Sequence, residues 1–253
     1  MKEQRKTHEK QFFDKTFETE GRKRVQKFYG IVRSSRSFYE NYLISNSQGK
    51  DVIEYGCGKG TYAFILAKYA ARVVGIDISE VAIKMAQQQA KQDGLKNIEF
   101  LEQDAEKMNF EDNSFDLIFG TSILHHLSLV DAMTEISRVL KPGGKSVFIE
   151  PLGHNPVINL FRKLTPHYRT EDEHPLTMRD LKLIKKFFNQ TECRYFHFVS
   201  LAAIPFRNMK IFSFILKALD HIDNVLFKIF PCLKPMAWQV VIILEQPIKD
   251  SGC

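Results

Sequence analysis

Seven consecutive residues, Glu54-Tyr55-Gly56-Cys57-Gly58-Lys59-Gly60, hold the densest chemical information in the chain. They follow the apolar run Asp51-Val52-Ile53 and precede an apolar helical pattern from Tyr62 to Tyr69. A strand, a glycine loop and a helix in that order make a site for a nucleotide-like ligand. Glycine lets the backbone turn tightly and come close, and the first N–H groups of the helix are free to face the ligand. The spacing narrows the choice. A dinucleotide fingerprint needs G-x-G-x-x-G, and here the third glycine comes one residue early. A Walker loop needs Gly-Lys-Ser/Thr, and Lys59 is followed by Gly60. Asp77 stands 21 residues after Gly56, where an acid can accept two hydrogen bonds from a ribose diol. Farther on come groups able to move a proton: His125-His126, Glu150 and His154, then His167, Arg169, Glu173 and His174. Their spacing matches no metal-ligand signature, so no metal site is expected.

The elements that must position these residues alternate. Strands are expected near 51–55, 73–77, 97–102, 115–119 and 145–150, with helices near 61–69, 79–93 and 128–140 between them. Such alternation argues for a parallel sheet covered on both faces. Ser79 reads as a helix N-cap and Gly94 as a stop. Before the first strand, Phe28 to Ile44 reads as a helix, and the first 20 residues as a frayed or loosely docked one. After Pro151 the alternation breaks. Pro151, Pro156, Pro166 and Pro175 mark a loop-rich stretch, followed by a helix near 177–188 capped by Thr177. Strands are expected at 191–199 and 238–244. Between them, Ile211, Ile215, Leu219, Ile222, Leu226 and Ile229 keep helical spacing and predict an amphipathic helix with that face packed inward, ended by Pro231.

Glu54 to Gly60 resembles the first motif of class I S-adenosylmethionine-dependent methyltransferases. Val73-Val74-Gly75-Ile76-Asp77-Ile78-Ser79 resembles their second strand, Phe100-Leu101-Glu102-Gln103-Asp104-Ala105 the third, Phe115 to Gly120 the fourth, and Leu140-Lys141-Pro142-Gly143-Gly144-Lys145 the turn into the fifth. The resemblance covers Asp51 to Glu150 closely. It implies a doubly wound, mostly parallel, seven-stranded Rossmann-like α/β sheet, completed by the last two strands as a hairpin, with an added helical cap. The implied organisation is an N-terminal helical lid at 1–50, a methyltransferase core at 51–199 and 237–253, and a cap insertion at 200–236. The resemblance also implies a cofactor, S-adenosylmethionine. Gly56, Cys57 and Gly58 would pass under its methionine part, Glu54 would draw its ammonium, and Asp77 with Ile78 would meet the ribose. Asp104 would accept from the adenine amino group and the Ala105 N–H would meet a ring nitrogen. Gly120 and Thr121 would lie beside the methyl group. Tyr29 and Arg33, one turn apart on the first helix, are candidates to cover the cofactor and pair its carboxylate.

Methyl transfer is an in-line displacement that needs alignment and, for a hydroxyl or an acidic carbon, a base. The candidates are Glu150 at the end of the fifth strand, His154 on the following loop, and His125. Since adjacent helical residues point about 100° apart, at most one of His125 and His126 is expected to face the site.

The chain has 253 residues, enough for one large domain or two small ones. Its net charge of +6 comes without a dense basic block, so a nucleic-acid partner is not expected. The four cysteines form no C-x-x-C pair and fit a reducing compartment. The N-terminal residues are too polar for a secretory signal, and no apolar run nears the roughly 18 residues of a membrane span. A cytoplasmic enzyme is expected, with weak membrane-surface association as a further possibility for the cap helix. With 21 Phe in the chain and an aromatic-rich insertion, a small, partly apolar acceptor is favoured. An RNA or protein methyltransferase is the main alternative. Gly120-Thr121-Ser122-Ile123 stands where an N-P-P-Tyr-like tetrapeptide would serve amino-group methylation of a nucleobase. A non-catalytic cofactor-binding scaffold is the other alternative.

Overall fold

The computed structural model describes residues 2–19, 30–166, 170 and 173–249. Seven strands form one sheet: β1 (Asp51–Tyr55), β2 (Arg72–Asp77), β3 (Ile98–Glu102), β4 (Phe115–Thr121), β5 (Leu140–Pro151), β6 (Phe188–Phe196) and β7 (Gln239–Pro247), in the order β3-β2-β1-β4-β5-β7-β6. The first five are parallel, and β7 runs antiparallel to both β5 and β6. This is the expected doubly wound sheet closed by a hairpin.

The strands are buried on both faces, which is why they read as near-continuous apolar runs. Side chains alternate between two cores. Ile53, Tyr55, Val74, Ile76, Ile118, Phe148 and Ile242 face α5 (Leu129–Val139) and α7 (Met178–Ile184). Val52, Val73, Leu117, Phe119, Val147, Ile149 and Ile243 face α2 (Arg33–Ser47), α3 (Thr61–Leu66) and α4 (Glu80–Gln92). Each such side chain contributes about 1.5–3 kcal/mol through removal from water. Strand order reverses between β1 and β4, both of which leave the sheet at the same edge, so a crevice opens above their carboxyl ends. The caps follow their chemistry. Ser79 Oγ accepts from Ala82 N at 3.1 Å, and Thr177 forms a capping box with Asp180.

The first segment is a helix, α1 (Lys2–Thr19), docked on the sheet by ion pairs. The flanking helices differ from expectation in three places. The helix expected from Phe28 starts at Arg33, and Phe28 and Tyr29 lie outside the described residues. The proline-marked stretch after β5 contains a further helix, α6 (Pro156–Leu164), because Asn155 Oδ1 accepts from Val157 N and Ile158 N and Pro156 occupies the first helical position. The helix of the insertion, α8 (Phe212–Ile229), lies between β6 and β7 as expected, but its inward face is rotated. Phe212, Leu216, Asp223 and Phe227 are buried, while Ile211, Ile222 and Ile229 are exposed.

Asp223 explains that rotation. Its carboxylate accepts from Phe198 N (3.0 Å), Val199 N (2.6 Å) and Ser200 N (3.2 Å), the opening N–H groups of the 3-10 segment Val199–Phe206. A count of apolar periodicity places an aspartate outside. Here its bonds hold it inside. Asp223→Ala is expected to leave three donors without their acceptor and lower unfolding free energy by about 3 kcal/mol, read from a urea titration. An unchanged midpoint would remove Asp223 from the foundations of this segment.

Candidate active site

The glycine loop between β1 and α3 is fixed from below. Cys57 N donates to Ile76 O at 2.8 Å, which ties the loop to β2. Gly56 has φ 69°, and a Cβ there would meet the Ile123 side chain at 2.6 Å, so both conformation and space demand glycine. Gly58, with φ 51°, turns its N–H toward Asp77, whose Oδ2 accepts it at 2.7 Å. Asp77 Oδ1 accepts Ser79 N at 2.9 Å. Each carboxylate oxygen retains a lone pair for a further donor. Burial raises the Asp77 carboxyl above its usual range, opposed by these backbone bonds. Glu54 ends β1, is 3 % exposed, and accepts Ala63 N at 2.8 Å. Burial pushes its carboxyl up to about 8.

Above this floor is a cavity of about 540 Å³. Glu54, Gly56, Cys57, Gly58, Asp77, Ile78, Asp104, Ala105 and Thr121 all border it. Gly120 lies just below, its carbonyl accepting from Tyr39 Oη at 2.9 Å, and a Cβ there would meet Tyr55 O at 2.8 Å. Tyr29 lies outside the described residues. Arg33 does not border the cavity. Its guanidinium lies 5.7 Å over the Phe212 ring and 3.4 Å from Ser213 Oγ, because the first turn of α2 faces α8. Arg36, one position short of a full turn later, borders the cavity instead.

The largest addition is α1. Arg5, Glu9, Phe13 and Phe17 recur every fourth residue, hence on one helical face, and all border the cavity. Lys6 Nζ reaches Asp104 Oδ2 at 2.6 Å, Arg5 pairs with Glu106, and Lys10 with Glu102. Asp14 Oδ1 accepts from Ser79 Oγ at 2.5 Å. The four-residue spacing was present in the sequence, hidden among charges. Asp104, expected to meet adenine, thus already holds Lys6 and the Glu106 N–H.

The proton-transfer candidates are redistributed. Glu150 is fully buried and does not border the cavity. Its Oε1 accepts Ile123 N (2.8 Å) and Leu124 N (2.9 Å), and its Oε2 meets His125 Nδ1 at 2.7 Å. It builds the turn after β4 and is not placed to act as a base. His125 is buried behind the wall. His154 Nε2 accepts Met178 N at 3.2 Å, which occupies it at the start of α7, away from the cavity. His126 is the histidine that borders the cavity. Its Nδ1 lies 3.1 Å from Glu9 Oε1, and the Phe13 ring sits edge-on to it at 5.4 Å. At most one of the pair is expected to face the site, and the one that borders the cavity is His126, whereas the candidate base His125 does not. Ser122, beside it, holds φ 54°, a left-handed conformation costly for a non-glycine residue.

The structure also gathers what spacing concealed. One ligand atom each of His125, His126 and Glu173 lie within 4.8 Å of one another, an arrangement able to hold a divalent cation. His174 N lies 3.4 Å from His125 O, while His167, Arg169, Glu171 and Asp172 are outside the described residues.

Residues 46–192 match a family model described as a methyltransferase domain. The chain belongs to the class I S-adenosylmethionine-dependent methyltransferases. Among curated relatives, it is 33% identical over 119 residues to a demethylmenaquinone methyltransferase of Lactococcus lactis, covering 46% of each chain. It is 38% identical over 112 residues to a sterol 24-C-methyltransferase of Gibberella zeae, covering 42% of this chain and 30% of that one. The chain thus spans less than half the length of either relative. Of solved structures, phosphoethanolamine N-methyltransferase 2 of Haemonchus contortus gives a TM-score of 0.67 at 16% identity, covering 94% of this chain and 60% of that one. Geranyl diphosphate C-methyltransferase of Streptomyces coelicolor gives 0.60 at 13%, covering 85% and 79%. At these identities the likeness is one of fold.

The methyltransferase cavity fits the family's cofactor. Its size falls within the roughly 300–1,000 Å³ of small-ligand sites, Asp77 keeps acceptor capacity, and the glycine loop leaves no room for side chains. Two outcomes follow. Asp77→Ala should weaken S-adenosylmethionine binding by about 1–3 kcal/mol in calorimetry, the scale of charged hydrogen bonds; an unchanged affinity would take Asp77 out of the site. Glu54 gives a pH signature. Free, it keeps its proton up to about pH 8, whereas an ammonium beside it favours the carboxylate. Binding near neutral pH or just below should therefore release up to about one proton, and affinity should rise with pH until about 8. Titration in buffers of different ionisation enthalpy measures the release, which should vanish in Glu54→Gln. Release unchanged in that variant would assign the proton to another group.

Proposed function

We propose that the protein transfers a methyl group from S-adenosylmethionine to a small, partly apolar organic acceptor. The observation that carries this reading is the wall composition of this cavity. Glycine loop, Asp77 and Asp104 border it, and so do Phe13, Phe17, Ile123, Leu127 and His126, among charged residues that include Arg5, Lys6, Glu9 and Arg36. The first group suits a nucleoside with an amino-acid tail, and the second suits an apolar acceptor brought against a proton acceptor. The relatives named above act on demethylmenaquinone and on a sterol, both small and apolar, which supports the acceptor class.

Glu54, Gly56, Cys57, Gly58, Asp77, Ile78, Asp104, Ala105, Gly120 and Thr121 would hold the cofactor, with Arg36 taking the role first assigned to Arg33. When bound, S-adenosylmethionine supplies a methyl group on a sulfonium, an electrophile that needs no metal activation. The chain's own part is alignment and proton removal. His126 Nδ1 lies 3.1 Å from Glu9 Oε1; a proton on Nδ1 donated to that carboxylate would leave Nε2 as the proton acceptor. Phe13 and Phe17 exclude water from the cavity roof. Since Glu9, Phe13 and Phe17 all sit on α1, the docked helix completes the site.

His126→Asn is expected to lower turnover by roughly 10²–10⁴-fold while cofactor affinity is unchanged, with S-adenosylhomocysteine release followed against quinol, phenol and sterol panels. Glu9→Gln should shift the pH profile of the same reaction. A second reading has one observation behind it, the His125–His126–Glu173 cluster. Under it, chelation abolishes turnover and added divalent metal restores it, whereas turnover indifferent to chelator leaves His126 as a base. Full activity of His126→Asn without metal dependence would overturn both and leave catalysis to alignment alone.

A further inference from the structure

Helix α8 is apolar on two sides. Phe212, Leu216 and Phe227 pack inward against Ile31 and Ala203 or the sheet hairpin. On the outer side Phe214, Ile222, Val225 and Ile229 follow one another at intervals of eight, three and four residues, one continuous helical stripe. Phe214 is 78 % exposed and Ile229 60 %. Met209, Ile211 and Phe230 extend the stripe at both ends and are also exposed. A second such stripe lies on α6, where Val157, Leu160 and Leu164 are exposed, Leu164 at 71 %. Asn155 Nδ2, at the start of α6, donates to Met236 O in the turn that follows α8 at 2.6 Å, which ties the two segments to each other. Monomeric soluble proteins rarely expose large apolar patches without a use.

The charges around the stripe say what covers it. Between Val199 and Trp238 the acids are Asp220 and Asp223. Asp223 is buried under three backbone N–H groups, and Asp220 is partly buried with Oδ1 3.8 Å from His197 Nδ1. Both acids are turned inward. The exposed charges of the segment are therefore all basic: Arg207, Lys210, Lys217 and Lys228. On α6 the charged residues are Arg162 and Lys163, again without an acid. Lysines set beside exposed Phe and Ile do not suit a protein interface, whose core is depleted in lysine. They do suit a headgroup plane, where the aliphatic stems lie along apolar surface while the ammonium groups meet lipid phosphates. Among the described residues no helix is long and apolar enough to cross a membrane, so the contact is with its surface.

We propose that the outer face of α8, together with α6, docks this protein on an anionic lipid bilayer. The apolar stripe enters the headgroup–acyl boundary and Lys210, Lys217 and Lys228 meet the anionic headgroups. The inference rests on surface residues outside the cavity and stands apart from the acceptor reading.

The full chain is sedimented with vesicles of phosphatidylcholine alone or mixed with phosphatidylglycerol, at low and high salt, and its mass in solution is measured by light scattering. Binding should require phosphatidylglycerol and fall with salt, as screening shortens the reach of the lysines. Phe214→Asp with Ile229→Asp should lower the bound fraction by about tenfold or more. A separate Lys210→Glu, Lys217→Glu, Lys228→Glu variant should lose the lipid dependence. Both variants should melt where the parent does and bind S-adenosylmethionine equally, which keeps a failed fold distinct from a lost surface. If the parent stays in the supernatant with both vesicles, the proposal falls whatever the fate of the methyltransferase reading. If it is a dimer that Phe214→Asp with Ile229→Asp dissociates, with no vesicle binding, a second copy covers the stripe and the proposal is likewise overturned. Should one variant unfold, the other still decides the outcome.

Discussion

A carboxylate buried at the end of a strand must find donors, and in this sheet the donors are the backbone N–H groups of the neighbouring loops. Glu54 at the end of β1 accepts from Ala63, Asp77 at the end of β2 from Gly58 and Ser79, and Glu150 near the end of β5 from Ile123 and Leu124. Glu54 thereby holds the first turn of α3, Asp77 both the glycine loop and the start of α4, and Glu150 the turn after β4. The glycine loop, the start of α4 and the turn carrying His125 and His126 all hang on these bonds. The arrangement also divides labour among three acids that look alike in sequence. Glu150 uses both oxygens on structure and is sealed. Asp77 and Glu54 border the cavity with capacity to spare, so the same device that shapes the floor leaves two acceptors facing a ligand.

The roof obeys weaker forces. Helix α1 rests on Glu102, Asp104 and Glu106 through Lys10, Lys6 and Arg5. Pairs as exposed as Lys10–Glu102 contribute little, about 1 kcal/mol or less each. The Arg5–Glu106 pair is better shielded, and Phe13 and Phe17 add apolar contact over His126 and Gly58. A cover held this way is fastened less firmly than the floor held by buried acids. Asp104, the carboxylate expected to meet adenine, is the one that holds Lys6.

Much of this was legible in advance, for a reason visible in the residues. Strand positions, the glycine loop and Asp77 are set by short-range rules: alternation, turn geometry, an acid at a fixed distance. The site's walls are not. Whether His125 or His126 faces the cavity depends on how Glu150, 25 residues away from His125, takes up one of the two rings. The inward face of α8 depends on Asp223 finding donors at Phe198 to Ser200. In both cases a long-range hydrogen bond to a buried acid overrides local pattern, and a reading that counts acids as outward residues inverts the answer. The cavity-facing residues of helix α1 escaped for the opposite reason. Its cavity-facing set mixes Arg5 and Glu9 with two Phe, so no apolar stripe marks it.

The same reversal gives α8 its unusual surface. Turning Asp220 and Asp223 inward removes the negative charge that would normally dilute a lysine-bearing helix, and the phenylalanines and isoleucines displaced by Asp223 have no place but outside. A helix that needed only to cover the hairpin between β6 and β7 would carry one apolar stripe and a mixed polar face. This one carries two stripes and a face of one sign. The buried acid that anchors the insertion to the sheet is therefore also what leaves its outer side apolar and basic, and the fold and its outward chemistry at this end of the molecule share one cause.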